Sequence, residues 1–434
     1  MDKQNTEIND FYQRLMSDYD DSNSHSGIDG ERVARRLSEI SQIGATDDGG
    51  SKRISFSQEE KQAKELVQKW MKEEGLSVKV DGAGNVFGRV EGKSNRPAIL
   101  SGSHLDSVPH GGHFDGPLGV IAALEVASAW NELGEQPDSP YEVVIFTDEE
   151  GARFNGGLLG SQSFVGELDI EEEKKRVDFN GTPFSEVLDQ AGLTPQGFVD
   201  AKRDLSDVKA FVEVHIEQGK QLEKRDLPVG VVTGIAGPTW LNVTFKGLAG
   251  HAGNTPMNDR TDALVAASEF VTNVKDFPPK VSSSGVATVG KLEVIPNGVN
   301  VIPGEVNLTL DIRDIKAEWK ERMVQGIIAY AEKVSEKHGT TVDIQENMSV
   351  DPVQVPEDMQ KLAGEAVEET LKSEPFYLPS GAGHDAMIVG RHIPVAMLFT
   401  QSQDGISHNP LEWSSLNDCV QTVHVLKRFI EKLS

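Results

Sequence analysis

Three histidines and two aspartates lie in the glycine-rich stretch Gly102–Gly119, GSHLDSVPHGGHFDGPLG. A histidine with a structural role needs one hydrogen-bond partner, whereas a metal site or a proton-transfer site needs several such groups at close range. Glycines let the backbone turn sharply, so the loop between His104 and Asp115 can fold back on itself. The stretch therefore predicts a site at which both side chains reach the same ligand.

A glycine-rich loop is also typical of phosphate binding, which would be a different chemistry. The stretch lacks the GxxxxGK[ST] pattern, and the negative charges of Asp106 and Asp115 would repel a phosphate. The composition of the loop thus favours a metal cation over an anion.

Further candidate ligands recur where apolar segments end. Any one of them alone is better explained as a structural residue, but together they suggest a shared site. Imidazole and carboxylate groups suit Zn, Mn or Co, whereas Ca prefers oxygen ligands only. In TDEEG, one of two adjacent glutamates can bind metal while the other takes protons from an activated water. The candidates are His104, Asp106, His110, His113, Asp115, Glu149, Glu150, His215 and His408.

The segments before these residues predict a parallel sheet. Ala98–His104 and Tyr141–Glu150 are apolar strands, and the apolar Pro117–Trp130 between them is typical of a buried helix. Ala210–Gly219 is another strand, and it carries His215. Because open α/β sheets bind ligands at the carboxyl ends of their strands, we expect these ligands to converge there.

The pattern changes after about Gly234, where the strands alternate apolar and polar residues. The order βαββαβ over residues 234–350 predicts a ferredoxin-like α+β domain. We therefore expect a mostly parallel-sheet catalytic domain in residues 35–233 and 351–434, with residues 234–350 inserted into it. Residues 1–34 are predicted to be an acidic N-terminal extension.

Composition excludes several classes of partner. The formal net charge of −27 argues against nucleic acid and anionic membranes, both of which attract Lys and Arg. No apolar run approaches the roughly 20 residues of a membrane span, and no signal-peptide core is present. The single cysteine, Cys419, indicates a reducing compartment, so we expect a cytoplasmic protein.

Eight motifs, in order, resemble those of the M20-type metal-dependent amidohydrolases. The similarity is greatest to the hydantoinase/carbamoylase branch, which includes N-carbamoyl-L-amino acid hydrolases and allantoate amidohydrolases. It runs from about residue 35 to the C-terminus. The motifs are GSHLDSV, GGHFDGPLGV, FTDEEGARF, VEVHIEQG, GHAGNTPM, PNGVNVIPGEVNLTLDIRD, SGAGHDA and SQDGISHNPLEW.

The resemblance implies two divalent metal ions per chain, of Zn, Mn or Co. Asp115 would bridge both ions, with His104 and His215 completing one site and Glu150 and His408 the other.

The resemblance also implies roles for residues beside the metals. Glu149 would be the general base and acid, and Asp106 would stand behind His104 and hold its tautomer. His110 and His113 match no ligand of the family and are interpreted as loop residues.

The same resemblance implies a set of substrate contacts. His251 would stabilise the oxyanion that forms from the scissile carbonyl. Arg313 would clamp a carboxylate, although a pair with Asp311 or Asp314 on an exposed face is the alternative that the sequence alone favours. The full set of implied substrate contacts is Gln218, His251, Asn300, Arg313, Gly381 and Gly383.

These features predict an enzyme that hydrolyses a small ureido compound. We expect cleavage of N-carbamoyl-L-amino acids to the L-amino acid, CO2 and ammonia. The alternatives are an allantoate amidohydrolase, a metallopeptidase of the same superfamily, and a binding protein without activity. The resemblance further implies a homodimer formed through the inserted domain, with lid residues such as His251 completing the neighbouring site.

Overall fold

Two units make up the fold. The structure, a computed structural model, describes the backbone of residues 3–434 and the side chains from Asp10 onward. The first unit runs to Thr233 and includes Val355–Leu378 and His384–Ser434. The second comprises Gly234–Gln354 and Pro379–Gly383, where the sequence predicted an inserted domain at 234–350.

The strands, in chain order, are β1 (Ser77–Val80), β2 (Val86–Val90), β3 (Ala98–His104), β4 (Tyr141–Phe146), β5 (Val208–Ile216), β6 (Val229–Ile235), β7 (Gly237–Lys246), β8 (Gly250–His251), β9 (Val286–Ile295), β10 (Val301–Ile302), β11 (Glu305–Asp314), β12 (Thr341–Ser349), β13 (Val353–Gln354), β14 (Tyr377–Ser380) and β15 (Val395–Thr400). The helices are α1 (Lys3–Met16), α2 (Gly30–Ser41), α3 (Gln58–Glu73), α4 (Pro117–Leu133), α5 (Leu159–Val165), α6 (Ile170–Glu173), α7 (Phe184–Ala191), α8 (Pro195–Asp200), α9 (Ala263–Val274), α10 (Pro278–Val281), α11 (Ala317–His338), α12 (Glu357–Leu371), α13 (Asp385–Val389) and α14 (Leu416–Leu433).

A large sheet forms the centre of the first unit, in the order β1-β2-β4-β3-β5-β15-β6, with β14 beside β6. The four strands β4, β3, β5 and β15 are parallel, and β1, β2 and β6 add to this centre in antiparallel fashion. All residues of β3 and β4 are buried, as their mostly apolar sequences without strict alternation predicted. The large α/β sheet expected from the sequence is thus confirmed.

Both faces of this sheet are covered, because successive side chains of a strand point to opposite faces. Val143 and Ile145 belong to the main core cluster, which includes side chains of α2, α4, α12 and α14. Phe146 lies on the other face and packs against Phe164 of α5, with ring centroids 5.6 Å apart. Helix α4 is buried from Pro117 to Trp130, which explains its mostly apolar sequence, and the buried Glu125 is paired with Arg32 and Arg36.

The N-terminal segment belongs to the first unit. Leu15 and Ile28 are each 2% exposed and lie in the main core cluster. Among the described residues, the segment predicted as an acidic N-terminal extension therefore shares the core of the first unit. Phe11, Leu15 and Tyr19 recur every four residues and pack on this core, but the many charged residues around them make the composition of the segment acidic.

The second unit has a four-stranded antiparallel sheet in the order β12-β7-β11-β9. Leu241, Val243 and Phe245 point from β7 into a core that contains residues of α9 and α11. The chain order βαββαβ and this strand order describe a ferredoxin-like unit. The short strands β8 and β10 form a separate two-stranded sheet.

No helix within the described part of the chain is both long enough and apolar enough to cross a membrane. The cytoplasmic location expected from the single cysteine stays a prediction.

Candidate metal centre

Three neighbouring parallel strands carry candidate ligands at one edge of the large sheet. His104 is the last residue of β3, and His215 is the last but one of β5. Glu149 and Glu150 follow shortly after the end of β4. Since β3 lies between β4 and β5, their carboxyl ends bring these four side chains together.

The carboxylate of Asp115 stands between two groups of side chains. Its Oδ1 lies 3.1 Å from Nε2 of His215 and 3.6 Å from Nε2 of His104. Its Oδ2 lies 3.5 Å from Nε2 of His408, which is 3.2 Å from Oε2 of Glu150. Within each group of three, the ligand atoms lie within 4.8 Å of one another. The two groups therefore share Asp115, and each has the size of a metal-binding cluster.

The hydrogen bonds of the two buried histidines suit metal ligation. Nδ1 of His104 lies 3.0 Å from the carbonyl oxygen of Asp106, and Nδ1 of His215 lies 3.0 Å from that of Ile216. Because a carbonyl only accepts, each Nδ1 donates, and in the neutral ring Nε2 keeps its lone pair. Nε2 of His104 is buried without a hydrogen-bond partner among the described residues. The residues present thus fit a metal pair bound through nitrogen and oxygen.

The proximity of these charges shifts the pKa values of the cluster. Burial opposes charge on Asp115, but the imidazoles of His215 and His104 prevail and hold its pKa well below the usual range. Burial, together with the charge of Glu150, raises the pKa of Glu149 well above its usual value. The hydrogen bond to Glu150 raises the pKa of His408 to about 9.

Asp106 supports the site differently from the expectation. Its carbonyl oxygen, rather than its carboxylate, is the group at hydrogen-bond distance from His104, since the nearest carboxylate oxygen lies 3.6 Å from Nδ1. The carboxylate instead accepts the backbone N–H groups of Glu149 (3.3 Å) and Glu150 (3.2 Å) and the hydroxyl of Ser55 (3.0 Å). It therefore holds the backbone that carries both glutamates.

Gly116 makes room for this arrangement. It has φ of 83°, and a Cβ at this position would lie 2.5 Å from Cε1 of His104. Both the left-handed backbone and the close approach of the ring require glycine next to Asp115.

The two other histidines of the loop lie outside the clusters, as their lack of a family match suggested. His110 is exposed and pairs with Asp48 at 2.8 Å. Nε2 of His113 lies 3.0 Å from the carbonyl oxygen of Gly49, and burial lowers the pKa of His113 to about 4.

Comparisons with known proteins show which family the chain belongs to. The sequence profile of Peptidase family M20/M25/M40 matches residues 100–432. The chain belongs to this family. It is 43% identical over 408 residues to the N-carbamoyl-L-amino acid amidohydrolase of Geobacillus stearothermophilus, covering 94% of this chain and 99% of the relative. An amidohydrolase of the same name from Pseudomonas sp. (strain NS671) is 38% identical, with 93% and 98% covered.

Two further comparisons concern a solved structure and a relative that is named for allantoate. The crystal structure of a hydantoinase/carbamoylase family amidase from Burkholderia multivorans superposes with a TM-score of 0.88 at 35% identity, covering 94% of this chain and 98% of the other. The allantoate amidohydrolase of Bacillus subtilis is 35% identical over 397 residues, with 91% of this chain and 95% of the relative covered. The membership inferred from the eight motifs is thus confirmed.

Gln218 lies among the metal-site residues of the first unit. Its Nε2 donates to Oδ2 of Asp115 at 2.7 Å and lies 3.3 Å from the hydroxyl of Ser407. The side chain of Gln218, which is predicted to contact the substrate, is therefore hydrogen-bonded to the carboxylate that both clusters share.

The second unit places His251 and Asn300 side by side. Their segments join in the β8–β10 sheet, and the carbonyl of Asn300 accepts the N–H of Ala252. Nδ1 of His251 accepts the N–H groups of Gly253 (3.1 Å) and Asn254 (3.2 Å). Nε2 of His251 must then carry the hydrogen and can act as a donor.

Arg313 pairs with Asp311, the contact that the sequence alone favoured. Its Nε and Nη2 donate to the Asp311 carboxylate at 2.8 and 2.7 Å, and Nη1 donates to the carbonyl of Gly381 at 2.8 Å. Gly383, whose backbone is also predicted to contact the substrate, lies two residues beyond Gly381 in the same segment of the second unit.

Three residues of the site were not predicted from the sequence. Ser407 and Glu412 flank His408, and both contact the loop that carries Asp115. Glu213 is buried on β5, where it accepts the hydroxyl of Ser103 at 2.7 Å and the N–H of Ala386 at 2.9 Å. The signal for Glu213 was its spacing of two residues from His215, which puts both side chains on one face of the strand.

Proposed function

We propose that the protein is a metal-dependent N-carbamoyl-L-amino acid amidohydrolase, which converts its substrate to the L-amino acid, CO2 and ammonia. The observation that carries this proposal is the pair of three-residue clusters sharing Asp115, with Glu149 beside them. The amidohydrolases of Geobacillus stearothermophilus and Pseudomonas support the choice of substrate.

Two divalent cations would be held by the two clusters. His104 and His215 would bind one ion, and Glu150 and His408 would bind the other. Asp115 would bind both ions. When bound, the cations would polarise the ureido oxygen and lower the pKa of a water molecule. A ureido carbonyl is a poor electrophile because two nitrogens donate into it, so this assistance is needed.

Glu149 is proposed to move the protons. Its Oε2 lies 3.6 Å from Nε2 of His104, yet its carboxylate belongs to neither cluster of ligand atoms. The bond from the N–H of Glu149 to Asp106 keeps this carboxylate beside the site. A carboxylate with a raised pKa can accept a proton from the attacking water. It can then return that proton to the leaving nitrogen.

Substrate contacts are proposed in the second unit. Nε2–H of His251 would donate to the developing oxyanion, with Asn300, Gly381 and Gly383 contributing polar backbone or amide groups. Arg313 has five N–H groups, of which its contacts to Asp311 and Gly381 use three. One N–H on each terminal nitrogen remains for the substrate carboxylate, while Asp311 fixes the plane of the guanidinium. Gln218, which donates to Asp115 in the first unit, is proposed as a further substrate contact.

The second unit is also proposed to form a homodimer. Strands β12 and β9 are the edges of its sheet, and unpaired edges favour strand addition. Leu248, Met257 and Val299 are at least 70% exposed and lie on the segments that carry His251 and Asn300. Mixing Glu149→Gln chains with His251→Ala chains tests whether sites are shared, because a hybrid would then regain activity. A fully active monomer would refute the shared site.

The decisive experiment measures ammonia release from a panel of ureido compounds after reconstitution with Zn, Mn or Co. We expect N-carbamoyl-L-amino acids to be cleaved and their D-enantiomers hardly at all. Faster turnover of allantoate than of any carbamoyl amino acid would reassign the substrate. Cleavage of dipeptides in preference to both would make the protein a peptidase.

A further inference from the structure

Glu412 is a buried carboxylate that the proposed mechanism does not use. It lies between His408 and α14 and is only 2% exposed. Its Oε1 accepts the backbone N–H groups of Phe114 at 2.8 Å and of Asp115 at 3.1 Å. A side chain almost 300 residues away in the sequence thus holds the backbone of the residue shared by both clusters.

Glu412 also reaches the side chain of Asp115, through a hydroxyl. Oγ of Ser407 lies 3.0 Å from Oε2 of Glu412 and 2.5 Å from Oδ2 of Asp115. The main chain of Asp115 is therefore bound directly to Glu412, and Oγ of Ser407 lies between the two carboxylates, where its single hydrogen can be donated to one of them at a time. These contacts restrict both the backbone and the rotamer of Asp115.

The loop is shaped to receive this carboxylate. A Cβ on Gly112 would lie 2.2 Å from Cδ and Oε1 of Glu412, so only glycine leaves room for the side chain. The rings of Phe114 and Trp413 pack edge to face at 5.4 Å, which joins the same two segments by an apolar contact.

We propose that Glu412 is a positioning residue that holds Asp115 in place to bridge two metal ions and thereby sets the affinity for the metal pair. The inference rests on the metal centre of the proposed function. Glu412 itself belongs to neither cluster of candidate ligand atoms. A bridging carboxylate that is held before the metals arrive loses less conformational entropy on binding them.

Two substitutions of Glu412 separate positioning from other roles. Glu412→Ala removes the acceptor of both N–H groups and should weaken metal binding by about 10–100-fold, as loss of groups that orient ligands does. Glu412→Gln keeps an oxygen for the two N–H groups, and its NH2 can donate to Ser407. The hydroxyl of Ser407 is then free to donate to Asp115. Metal affinity should therefore stay within about threefold of the original.

Gly112→Ala tests the same contact without changing the carboxylate. Its Cβ would push Glu412 away, so metal affinity should fall as it does for Glu412→Ala. Gly111→Ala is the matched control, because its Cβ would come no closer than 3.2 Å to any atom beyond its two neighbours in the chain. Glu142→Gln controls for changing a buried carboxylate elsewhere, since Glu142 pairs with Arg89 and Arg203.

Metal affinity is measured by competition with a chromophoric chelator, with Zn or Mn as the probe, alongside thermal unfolding and steady-state kinetics. We expect weak binding in Glu412→Ala and Gly112→Ala, with activity recovered at high metal concentration, and near-normal binding in Glu412→Gln and both controls. Loss of metal from Glu412→Gln as severe as from Glu412→Ala would make Glu412 a ligand and overturn the inference. Unchanged affinity in folded Glu412→Ala or Gly112→Ala would also overturn it. If the unsubstituted protein bound no metal pair, the proposed function itself would fail.

Discussion

Replacing Asp106 by asparagine tests one buried carboxylate without changing its shape. One oxygen of Asp106 accepts the N–H of Glu149, and the other accepts the N–H of Glu150 and the hydroxyl of Ser55. An amide supplies only one oxygen. The best placement keeps the contacts to Glu150 and Ser55, and the NH2 group then faces the N–H of Glu149.

The expected magnitude follows from this count of bonds. A buried donor without an acceptor costs about 1–3 kcal/mol, and each of the two remaining bonds loses about 1 kcal/mol of charge assistance. Asp106→Asn should thus lower the free energy of unfolding by about 4 kcal/mol. Because the backbone of Glu149 is then released, kcat should fall by about 10–100-fold.

Urea unfolding measures the first quantity, and ammonia release at saturating substrate and metal measures the second. Asp178→Asn is the matched control, because Asp178 accepts the N–H groups of Asn180 and Thr182 and a side-chain N–H of Arg153. The control should lose stability but keep its kcat. If Asp106→Asn kept the original stability and kcat, the carboxylate would not hold the two glutamates in place.

Three further outcomes are expected. Glu149→Gln should keep its metal, measured by elemental analysis, while kcat falls at least about 100-fold; loss of metal would exchange the roles of Glu149 and Glu150. Arg313→Lys should raise KM and lower kcat/KM about tenfold or more, since lysine lacks the planar fork, and equal rates on both enantiomers would refute the clamp. Burial lowers the pKa of His424 to about 4, whereas the same side chain in the unfolded chain has a pKa of about 6.5. As the pH falls from 6.5 to 4, the unfolded state therefore binds the proton before the folded state does. The free energy of unfolding should therefore drop by about 2 kcal/mol more between pH 6.5 and 5 in the unsubstituted protein than in His424→Gln; equal slopes in urea titrations would contradict this.

The sequence by itself determined the elements and the ends of the strands that carry ligands. Mostly apolar segments without strict alternation at β3 and β4 predict buried parallel strands, and alternation in β7 and β11 predicts a sheet with one open face. These patterns are local, because each residue's burial follows from its position in a repeat of two or of 3.6. Placing His104 and His215 at one edge needed only the rule that parallel strands end together.

The roles of Asp106 and the N-terminal segment depended on the tertiary structure. Which group of Asp106 faces His104 depends on the path of the chain after β3, and no periodic pattern encodes that path. The acidic composition of residues 1–34 concealed the burial of Leu15 and Ile28, which pack in the main core cluster together with other side chains of α1 and α2.

The placement of Asp115 also depended on the tertiary structure. Its two oxygens face different clusters because Glu412, 297 residues away in sequence, accepts its N–H, and because Ser407 and Gln218 donate to one oxygen only. Contacts between residues so far apart arise only after both segments have packed on the same sheet. Their distances are set by side-chain rotamers in a close-packed interior, and a one-dimensional pattern carries no information about those rotamers.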